Sequence, residues 1–314
     1  MKLAFLYAGQ GSQHAGMGAD LYAASPVFRK VFDEAAAALD FDLKATCFED
    51  PQGVIDQTQY TQPCMVAFAA GVTAMFREAG VRPEYAAGLS LGEYSALECA
   101  GVLDARAAVE LVAFRGKAMA RASEGLACGM TAVLMLDRDR LQACCDEASA
   151  LGVVQICNYN CPGQLVIGGE KAAVDRASEL AKEAGAKRCL PLKVSGPFHT
   201  SLMHTAGEAL AERFQTVTFA PMELPVLFNC LGREKAPEDT IPGLLVRQVQ
   251  SSVYLEDTIR RLAELGVDTV VEIGPGRAIS GFVKKTAGGA IRCLNVETAE
   301  DFEKALAALK EVTA

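Results

Sequence analysis

The stretch from residue 130 to residue 194 switches repeatedly between two hydrophobic patterns, and it decides the fold. It reads strand, helix, strand, strand, helix, strand in the segments MTAVLML (130–136), DRLQACCDEASA (139–150), VVQICN (153–158), QLVIG (164–168), KAAVDRASELAKEAG (171–185) and KRCLPLKV (187–194). Short apolar runs are typical of buried strands, and longer amphipathic runs are typical of helices. This β-α-β-β-α-β order predicts a ferredoxin-like unit inserted into a larger domain.

The flanking sequence predicts the larger domain. Leu3–Ala8 and Thr269–Ile273 are apolar runs that end at glycine-rich turns, and Asp104–Arg121 has a helical pattern. Buried strands that alternate with amphipathic helices indicate an α/β domain with a parallel sheet. We therefore predict a catalytic subdomain formed by residues 1–127 and 195–314, and a small subdomain formed by residues 128–194.

The composition limits the classes of function. Lys and Arg total 30 against 39 Asp and Glu, for a formal net charge of -9. This balance disfavours nucleic acid as a partner and predicts no affinity for anionic membrane surfaces. The eleven cysteines are scattered without CxxC pairs, which is typical of reduced thiols in a cytosolic protein and does not favour a metal site.

Two apolar segments resemble membrane-associated sequences, and we interpret both as buried. Leu3–Ala8 is too short for the core of a signal peptide, and no small-residue cleavage site follows it. The run from Cys64 to Phe76 is shorter than the roughly 18 residues that a membrane span needs. We expect a strand and a core helix.

Gly88-Leu89-Ser90-Leu91-Gly92 is a G-x-S-x-G sequence between an apolar stretch, Tyr85–Ala87, and a helical pattern that begins near Glu93. A serine on such a turn needs glycine on both sides because the turn is tight. The helix that follows directs backbone N–H groups and its positive dipole end at a developing oxyanion. The alternative is a glycine-rich turn with an incidental serine.

A serine hydroxyl becomes a good nucleophile when a base accepts its proton, and histidine is the usual base. The chain has three histidines. His14 lies in a glycine-rich turn and His204 in a helical pattern, where surface or capping roles are the default. His199 follows a turn just after the last strand of the inserted unit, so we favour it as the base.

Arg115 lies in the middle of an apolar helical stripe. The positions three and four residues away are Leu111, Val112, Ala118 and Met119. A buried guanidinium is costly unless an anion pairs with it. The sequence leaves two kinds of partner open: a protein carboxylate such as Glu93 or Glu98, or the carboxylate of a bound substrate held in bidentate geometry.

Gly9-Gln10-Gly11-Ser12-Gln13 follows the first strand and resembles a phosphate-binding turn. It does not fit the dinucleotide fingerprint, whose third glycine would fall at His14, and no Gly-Lys-Ser/Thr follows as in a P-loop. Its backbone N–H groups are instead candidates for the second donor of an oxyanion hole.

These segments together resemble one family, the malonyl-CoA:acyl-carrier-protein transacylases, which are related to polyketide synthase acyltransferase domains. The matching segments are Gly9-Gln10-Gly11-Ser12-Gln13, Gly16-Met17-Gly18, Tyr60-Thr61-Gln62-Pro63, Gly88-Leu89-Ser90-Leu91-Gly92-Glu93-Tyr94, Arg115-Gly116, Asn158-Tyr159-Asn160-Cys161-Pro162-Gly163, Gly196-Pro197-Phe198-His199, Gln248 and Glu272-Ile273-Gly274-Pro275-Gly276. Each match alone is weak, but several in the family's order are specific.

The resemblance implies an α/β-hydrolase-like large subdomain with an inserted ferredoxin-like small one. It also implies roles for particular residues. Ser90 would be the nucleophile, His199 the base and Arg115 the residue that holds the acyl carboxylate. The backbone N–H groups of Gln10 and Leu91 would form the oxyanion hole.

The resemblance further implies that a main-chain carbonyl at Gln248 orients the histidine in place of a carboxylate. Phe198 resembles the malonyl-selective pattern rather than the methylmalonyl-selective one. One departure is Leu89, where many members have histidine before the nucleophile. We expect this change to affect local packing and not catalysis.

The function implied is transfer of a malonyl group from malonyl-CoA to the phosphopantetheine thiol of acyl carrier protein, for fatty acid biosynthesis. We expect a cytoplasmic monomer without cofactor, and without nucleic acid or membrane as partner. The alternatives are a polyketide synthase acyltransferase that acts in trans, a serine hydrolase or thioesterase, and a non-catalytic carrier-binding subunit. Lys187-Arg188 and Lys284-Lys285 are candidate docking charges for an acidic carrier, although solvated surface is the simpler interpretation.

Overall fold

The computed structural model describes residues 1–311 and contains eleven strands and thirteen α-helices within them. The strands are β1 (Leu3–Tyr7), β2 (Tyr85–Gly88), β3 (Cys128–Leu134), β4 (Val154–Cys161), β5 (Gln164–Glu170), β6 (Arg188–Pro191), β7 (Leu227–Phe228), β8 (Arg233–Glu234), β9 (Val253–Tyr254), β10 (Thr269–Ile273) and β11 (Arg292–Val296). The helices are α1 (Ala19–Ala24), α2 (Pro26–Ala36), α3 (Leu43–Phe48), α4 (Thr58–Glu78), α5 (Gly92–Cys99), α6 (Ala105–Ser123), α7 (Arg138–Ala148), α8 (Lys171–Glu183), α9 (His204–Phe214), α10 (Ile241–Val249), α11 (Leu255–Glu264), α12 (Ala278–Ala287) and α13 (Ala299–Glu311).

The chain forms two compact units. The first unit comprises Met1–Gly116, Thr218–Phe228 and the segment from Arg260. Its sheet has four parallel strands in the order β11-β10-β1-β2. Tyr7, at the end of β1, is in register with Gly88 of β2, so the turns that follow these two strands leave the same edge of the sheet. Ligands bind at this edge in open α/β sheets.

The two central strands of the first unit, β1 and β10, are mostly apolar because the middle of the sheet is buried. All five residues of β1 and all five of β10 are buried. Strands with one solvated face alternate instead between apolar and polar residues. The α/β interpretation of these runs is confirmed.

The apolar run from Cys64 to Phe76 lies inside α4, and every residue of that run except Ala74 is buried. The prediction of a core helix is therefore confirmed. None of the helices within residues 1–311 combines the length and the apolar character needed to cross a bilayer.

The second unit comprises Lys117–Val217 and Asn229–Ile259. Its β3-α7-β4-β5-α8-β6 segment has the predicted order, and its sheet follows the strand order β6-β3-β5-β4-β9. The β3–β5, β3–β6 and β4–β5 pairs are antiparallel. Helices α7 and α8 contribute Leu141 and Val174 to one core with Val133 and Ile167 of the sheet. The ferredoxin-like unit is thus present as predicted.

The second unit extends beyond the 128–194 segment that the sequence indicates as the small subdomain. Strand β9 pairs in parallel with β4, and the Ser252 hydroxyl donates to the main-chain oxygen of Ile156. The Arg138 guanidinium also donates to both carboxylate oxygens of Asp257, at 3.1 and 2.8 Å. These bonds bring a later segment of the chain into the unit, and nothing in the 128–194 pattern indicates them.

Candidate active site

The serine of the G-x-S-x-G sequence lies on a sharp turn between β2 and α5. Ser90 has a φ of 55°, which is rare for a residue with a side chain. Such strain persists only where the surrounding structure fixes it, and it is concentrated at functional sites. The predicted strand–turn–helix context of Ser90 is therefore present.

The two glycines of this sequence are required by close approaches of the backbone. A Cβ added to Gly88 would overlap the main-chain carbonyl of Gly92, and one added to Gly92 would overlap the main-chain oxygen of Tyr7. The turn is packed against the end of β1. An incidental serine in a loose glycine-rich loop would not have these contacts.

Arg115 lies beside the serine and is fully buried. Its Nη2 atom donates to Ser90 Oγ at 3.1 Å, and its Nη1 atom donates to Gln62 Oε1 at 2.8 Å. The guanidinium carbon lies 5.7 Å from the centre of the Tyr94 ring. Burial lowers the pKa of Arg115, and the charges of Tyr94 and Glu93 oppose that shift. Arg115, in the apolar stripe of its helix, thus places a cation beside the hydroxyl of Ser90.

The structure distinguishes the two carboxylates considered as partners of this arginine. Glu98 pairs with Arg77, whose Nη1 atom lies 3.0 Å from Glu98 Oε1. Glu93 is buried and close enough for its charge to favour the cationic form of Arg115. Of the two carboxylates, Glu93 is the one that supports Arg115 electrostatically.

Gln10 and Leu91, the predicted oxyanion donors, flank this serine within the first unit. Leu91 precedes α5 as its N-cap residue, so its backbone N–H belongs to the end of the helix that carries positive partial charge. Gln10 follows Gly9, and a Cβ at Gly9 would lie 2.7 Å from the main-chain oxygen of Leu89. The Gln10 turn and the serine turn are therefore in direct contact.

Leu89 stands where many members of the transacylase family have histidine. Its Cγ atom would lie 2.9 Å from a Cβ at Gly9, so the leucine side chain covers the backbone of that glycine. The side chain is half-buried. The departure thus affects packing between the two turns, while its effect on catalysis stays a prediction.

The remaining predicted site residues lie in the second unit. His199 is buried, with a φ of 60°, and its Nδ1 atom lies 2.8 Å from the main-chain oxygen of Gln248. A carbonyl oxygen only accepts, so Nδ1 carries the proton and Nε2 presents a lone pair. That tautomer is the one a general base needs. The main-chain carbonyl of Gln248 accepts from His199, and its role in orienting the base stays a prediction.

Phe198 precedes the histidine and is buried in the same loop. A Cβ added to Gly196 would lie 2.8 Å from Phe198 Cε1, so the ring rests on the glycine backbone. The Thr200 hydroxyl donates to the main-chain oxygen of Pro197 at 2.6 Å. Packing and this hydrogen bond hold the loop that carries Phe198 and His199.

The other two histidines lie at the surface of their units. His14 Nε2 is 2.9 Å from Glu297 Oε1, and its side chain is half exposed. His204 begins α9 and contacts Gln250 through Nδ1 at 2.9 Å. Among residues 1–311, no cluster of three or more His, Cys, Asp or Glu side chains is arranged to hold a metal ion. The eleven cysteines are free thiols.

Gln62 is a site residue whose role the sequence did not reveal. It is buried in the first turns of α4 and binds Arg115. A glutamine between Thr61 and Pro63 in an apolar run is a signal, because a buried amide needs a polar partner. The sequence alone did not identify that partner.

The chain resembles known acyltransferases in sequence and in structure. The protein-family model of the acyl transferase domain matches residues 4–300 of this chain. A malonyl CoA-acyl carrier protein transacylase of Bacillus subtilis is 40% identical over 311 residues, 99% of this chain and 98% of that protein. The protein of the same description from Escherichia coli K12 is 40% identical over 285 residues, 90% of this chain and 92% of that protein.

Solved structures of malonyl transacylases are also similar to this chain. A malonyl CoA-acyl carrier protein transacylase of Clostridium perfringens has a TM-score of 0.96 and 38% identity, over 100% of this chain and 98% of that chain. A malonyl-transacylase solved in complex with a type II polyketide synthase acyl-carrier protein has a TM-score of 0.93 and 38% identity, over 98% of this chain and 100% of that chain.

The fold and the matched family model define an acyltransferase with a large α/β subdomain and a ferredoxin-like small one. This confirms the predicted fold class, including the α/β-hydrolase-like large subdomain. The chain belongs to the malonyl CoA-acyl carrier protein transacylase family. The resemblance inferred from the sequence is confirmed.

Proposed function

We propose that this acyltransferase moves a malonyl group from malonyl-CoA to the phosphopantetheine thiol of an acyl carrier protein, in fatty acid biosynthesis. The observation that carries the proposal is the 3.1 Å hydrogen bond from the Arg115 guanidinium to Ser90 Oγ. A buried cation beside a nucleophilic serine can bind the carboxylate at the end of an acyl group. An uncharged acyl group would gain no charge-assisted contact with that cation.

The first half-reaction forms a malonyl-serine ester. Ser90 Oγ attacks the thioester carbonyl, and Nε2 of His199 accepts the hydroxyl proton. The carbonyl electrons move onto oxygen, where the backbone N–H groups of Gln10 and Leu91 donate to the oxyanion. When the carbonyl re-forms, the carbon–sulfur bond breaks and CoA leaves with the proton from His199. One such donor is worth on the order of 10²–10³ in rate.

The second half-reaction returns the free serine. The phosphopantetheine thiol gives its proton to His199, and its sulfur attacks the ester carbonyl. Ser90 Oγ leaves and recovers a proton from the histidine. The product is the malonyl thioester of the carrier. Because CoA leaves before the carrier reacts, the kinetics should be ping-pong.

Phe198 is proposed to select malonyl over α-substituted acyl groups. A buried ring on a loop fixed by two contacts cannot easily make room for an additional methyl group. The expected difference between malonyl and methylmalonyl donors in kcat/KM is roughly 10–200-fold, because one methyl group is worth roughly 1–3 kcal/mol in a pocket. Phe198→Ala should reduce that difference.

The reaction needs no cofactor in this proposal, because the serine, the histidine and the substrate thioester complete the chemistry. We also propose that the protein works in the cytoplasm, where its free thiols remain reduced. A monomer would suffice, because each chain carries the full set of proposed residues. Size-exclusion chromatography with light scattering tests the monomer.

Intact-mass analysis after mixing with malonyl-CoA tests the proposal directly. The wild-type protein should gain the mass of one malonyl group, peptide mapping should place it on Ser90, and Ser90→Ala should gain nothing. A holo carrier protein added next should remove the group and acquire it. Loading at another residue, or no loading, would overturn the assignment.

Two alternatives are separated by measuring malonate release and by comparing carrier proteins. A serine hydrolase would release free malonate as fast with carrier protein as without it. A polyketide acyltransferase that acts in trans is favoured by one observation, the complex of a similar enzyme with a polyketide carrier. Comparing kcat/KM with a fatty acid carrier and a polyketide carrier would identify the pathway served.

A further inference from the structure

Two side-chain hydrogen bonds fasten the turn that carries Gln10 to the start of α4. Gln10 Nε2 donates to the hydroxyl oxygen of Thr58, the first residue of α4, at 3.1 Å. Gln13 Nε2 donates to Asp56 Oδ1, just before the helix, at 2.8 Å. The turn is therefore hydrogen-bonded both to Thr58 in α4 and to Asp56 just before that helix.

Gln13 also shapes the turn itself. Its Oε1 atom accepts a hydrogen bond from the backbone N–H of Gly11 at 2.7 Å. Gly11 has a φ of 114°, a conformation open to glycine at low cost. One amide side chain thus joins the backbone next to Gln10 to the carboxylate of Asp56. Without this link a turn with glycine on both sides of Gln10 would have more conformational freedom.

The start of α4 also holds the other half of the proposed site. Gln62, one turn after Thr58, accepts from Arg115 at 2.8 Å. A Cβ at Gly116 would lie 2.8 Å from the main-chain oxygen of Thr58, so the backbone next to the arginine rests on the same helical turn. The Gln10 turn and the arginine therefore share one support.

We infer that Gln13 and Asp56 are positioning residues, which hold the backbone N–H of Gln10 at a fixed place relative to Ser90 and Arg115. This inference rests on the proposed function, in which that N–H donates to the oxyanion. Asp56 is exposed and Gln13 half-buried, and both act through the turn. Misplacing a reacting group by about 1 Å costs roughly 10²-fold in rate, so even a small shift of Gln10 should be measurable.

A reversal of the hydrogen bond tests the inference. Gln13→Glu keeps an oxygen that accepts from the Gly11 N–H, but it cannot donate to Asp56 and places a like charge beside it. Asp56→Asn keeps an oxygen that accepts from Gln13. In the double variant the amide introduced by D56N donates to the carboxylate introduced by Q13E, which restores the link with its direction reversed.

The expected results follow from transition-state positioning. Gln13→Glu should lower kcat for malonyl transfer about tenfold with little change in the KM for malonyl-CoA, because Arg115 still binds the carboxylate. Asp56→Asn should lower kcat much less than Gln13→Glu, because its neutral oxygen accepts a weaker hydrogen bond from Gln13, and the double variant should recover most of the lost kcat. Rates are divided by the fraction of protein that mass spectrometry shows to be malonylated.

The matched control is an exposed bond of the same kind in the second unit. Gln142 Nε2 donates to Asp146 Oδ1 at 2.7 Å, so Gln142→Glu should leave kcat unchanged. A wild-type kcat for Gln13→Glu, or a double variant as slow as Gln13→Glu, would overturn the inference alone. Absence of loading on Ser90 in the wild type would overturn the proposed function and this inference with it.

Discussion

Arg115 and Ser90 are hydrogen-bonded: Nη2 of the arginine donates to Oγ of the serine across 3.1 Å. A hydroxyl that accepts from a cation has its own proton directed elsewhere, and its alkoxide form is favoured. The same nitrogen is within reach of an acyl group attached to that oxygen. In the proposed mechanism, one guanidinium assists the attacking oxygen and then binds the carboxylate end of the acyl group.

Replacing Arg115 should change selectivity more than it changes chemistry. Arg115→Ala removes a charge-assisted contact worth roughly 1.5–3 kcal/mol, so the preference for malonyl-CoA over acetyl-CoA in kcat/KM should fall by at least about tenfold. Arg106→Ala, an exposed arginine on the same helix, is the control and should leave the preference unchanged. Equal losses for both donors would show that Arg115 is only structural.

Gln62 should matter because it binds Arg115 without neutralising it. Gln62→Glu introduces a carboxylate 2.8 Å from Nη1 in the wild-type geometry, and that carboxylate would compete with the substrate's. We expect the KM for malonyl-CoA to rise about tenfold or more, with a much smaller change for acetyl-CoA. Gln62→Leu lacks the competing charge and should raise KM less. Similar kinetics for the two variants would contradict this account.

The sequence predicted those parts of the fold that depend on local pattern. The β-α-β-β-α-β order of the second unit and the buried runs Leu3–Ala8 and Thr269–Ile273 were evident from the pattern of apolar residues. Boundaries were less accurate. Strand β6 ends at Pro191 rather than Val194, although the backbone N–H of Leu192 still donates to the main-chain oxygen of Met130 at 2.9 Å.

The site was predictable where a residue type is costly without a function. Arg115 was conspicuous as a cation among apolar neighbours. Ser90 was conspicuous because Gly88 and Gly92 lie on either side of it. Contacts between distant segments were not predictable. The Gln13–Asp56 and Arg115–Gln62 hydrogen bonds join residues 43 and 53 positions apart, and no periodicity records such pairs.

Gly92, just after the Ser90 turn, gives a prediction about the free energy of unfolding. A Cβ on Gly92 would overlap the main-chain oxygen of Tyr7, so Gly92→Ala should lower the free energy of unfolding by about 3 kcal/mol or more. Gly281 lies in α12 with no atom within 4 Å of an added Cβ. Gly281→Ala should therefore stabilise the protein by up to about 1 kcal/mol. Urea unfolding measures both changes in the free energy of unfolding. Equal effects would contradict the close approach of Gly92 to the main-chain oxygen of Tyr7.

The buried carboxyl group of Glu98 should make stability depend on pH. Its Oε1 atom accepts from Arg77, whereas Oε2 is buried with no hydrogen-bond partner among residues 1–311. Burial therefore outweighs the favourable charge of Arg77 and raises the pKa of Glu98 from 4.5 to about 7. Between these two pH values the folded protein keeps a proton that the unfolded chain has released.

Stability from this group is fully present below pH 4.5 and is lost as the pH rises through about 7. The loss is at most roughly 3–4 kcal/mol, because a tenfold change in proton affinity corresponds to about 1.4 kcal/mol. Glu98→Gln keeps an oxygen for Arg77 and carries no titrating proton. Urea unfolding from about pH 4.5 to about pH 8 should therefore show the variant gaining stability relative to the wild type as the pH rises. Glu34→Gln, at an exposed carboxylate, should run parallel to the wild type. If Glu98→Gln also runs parallel, Glu98 is ionised throughout this range, and Arg77 compensates fully for its burial.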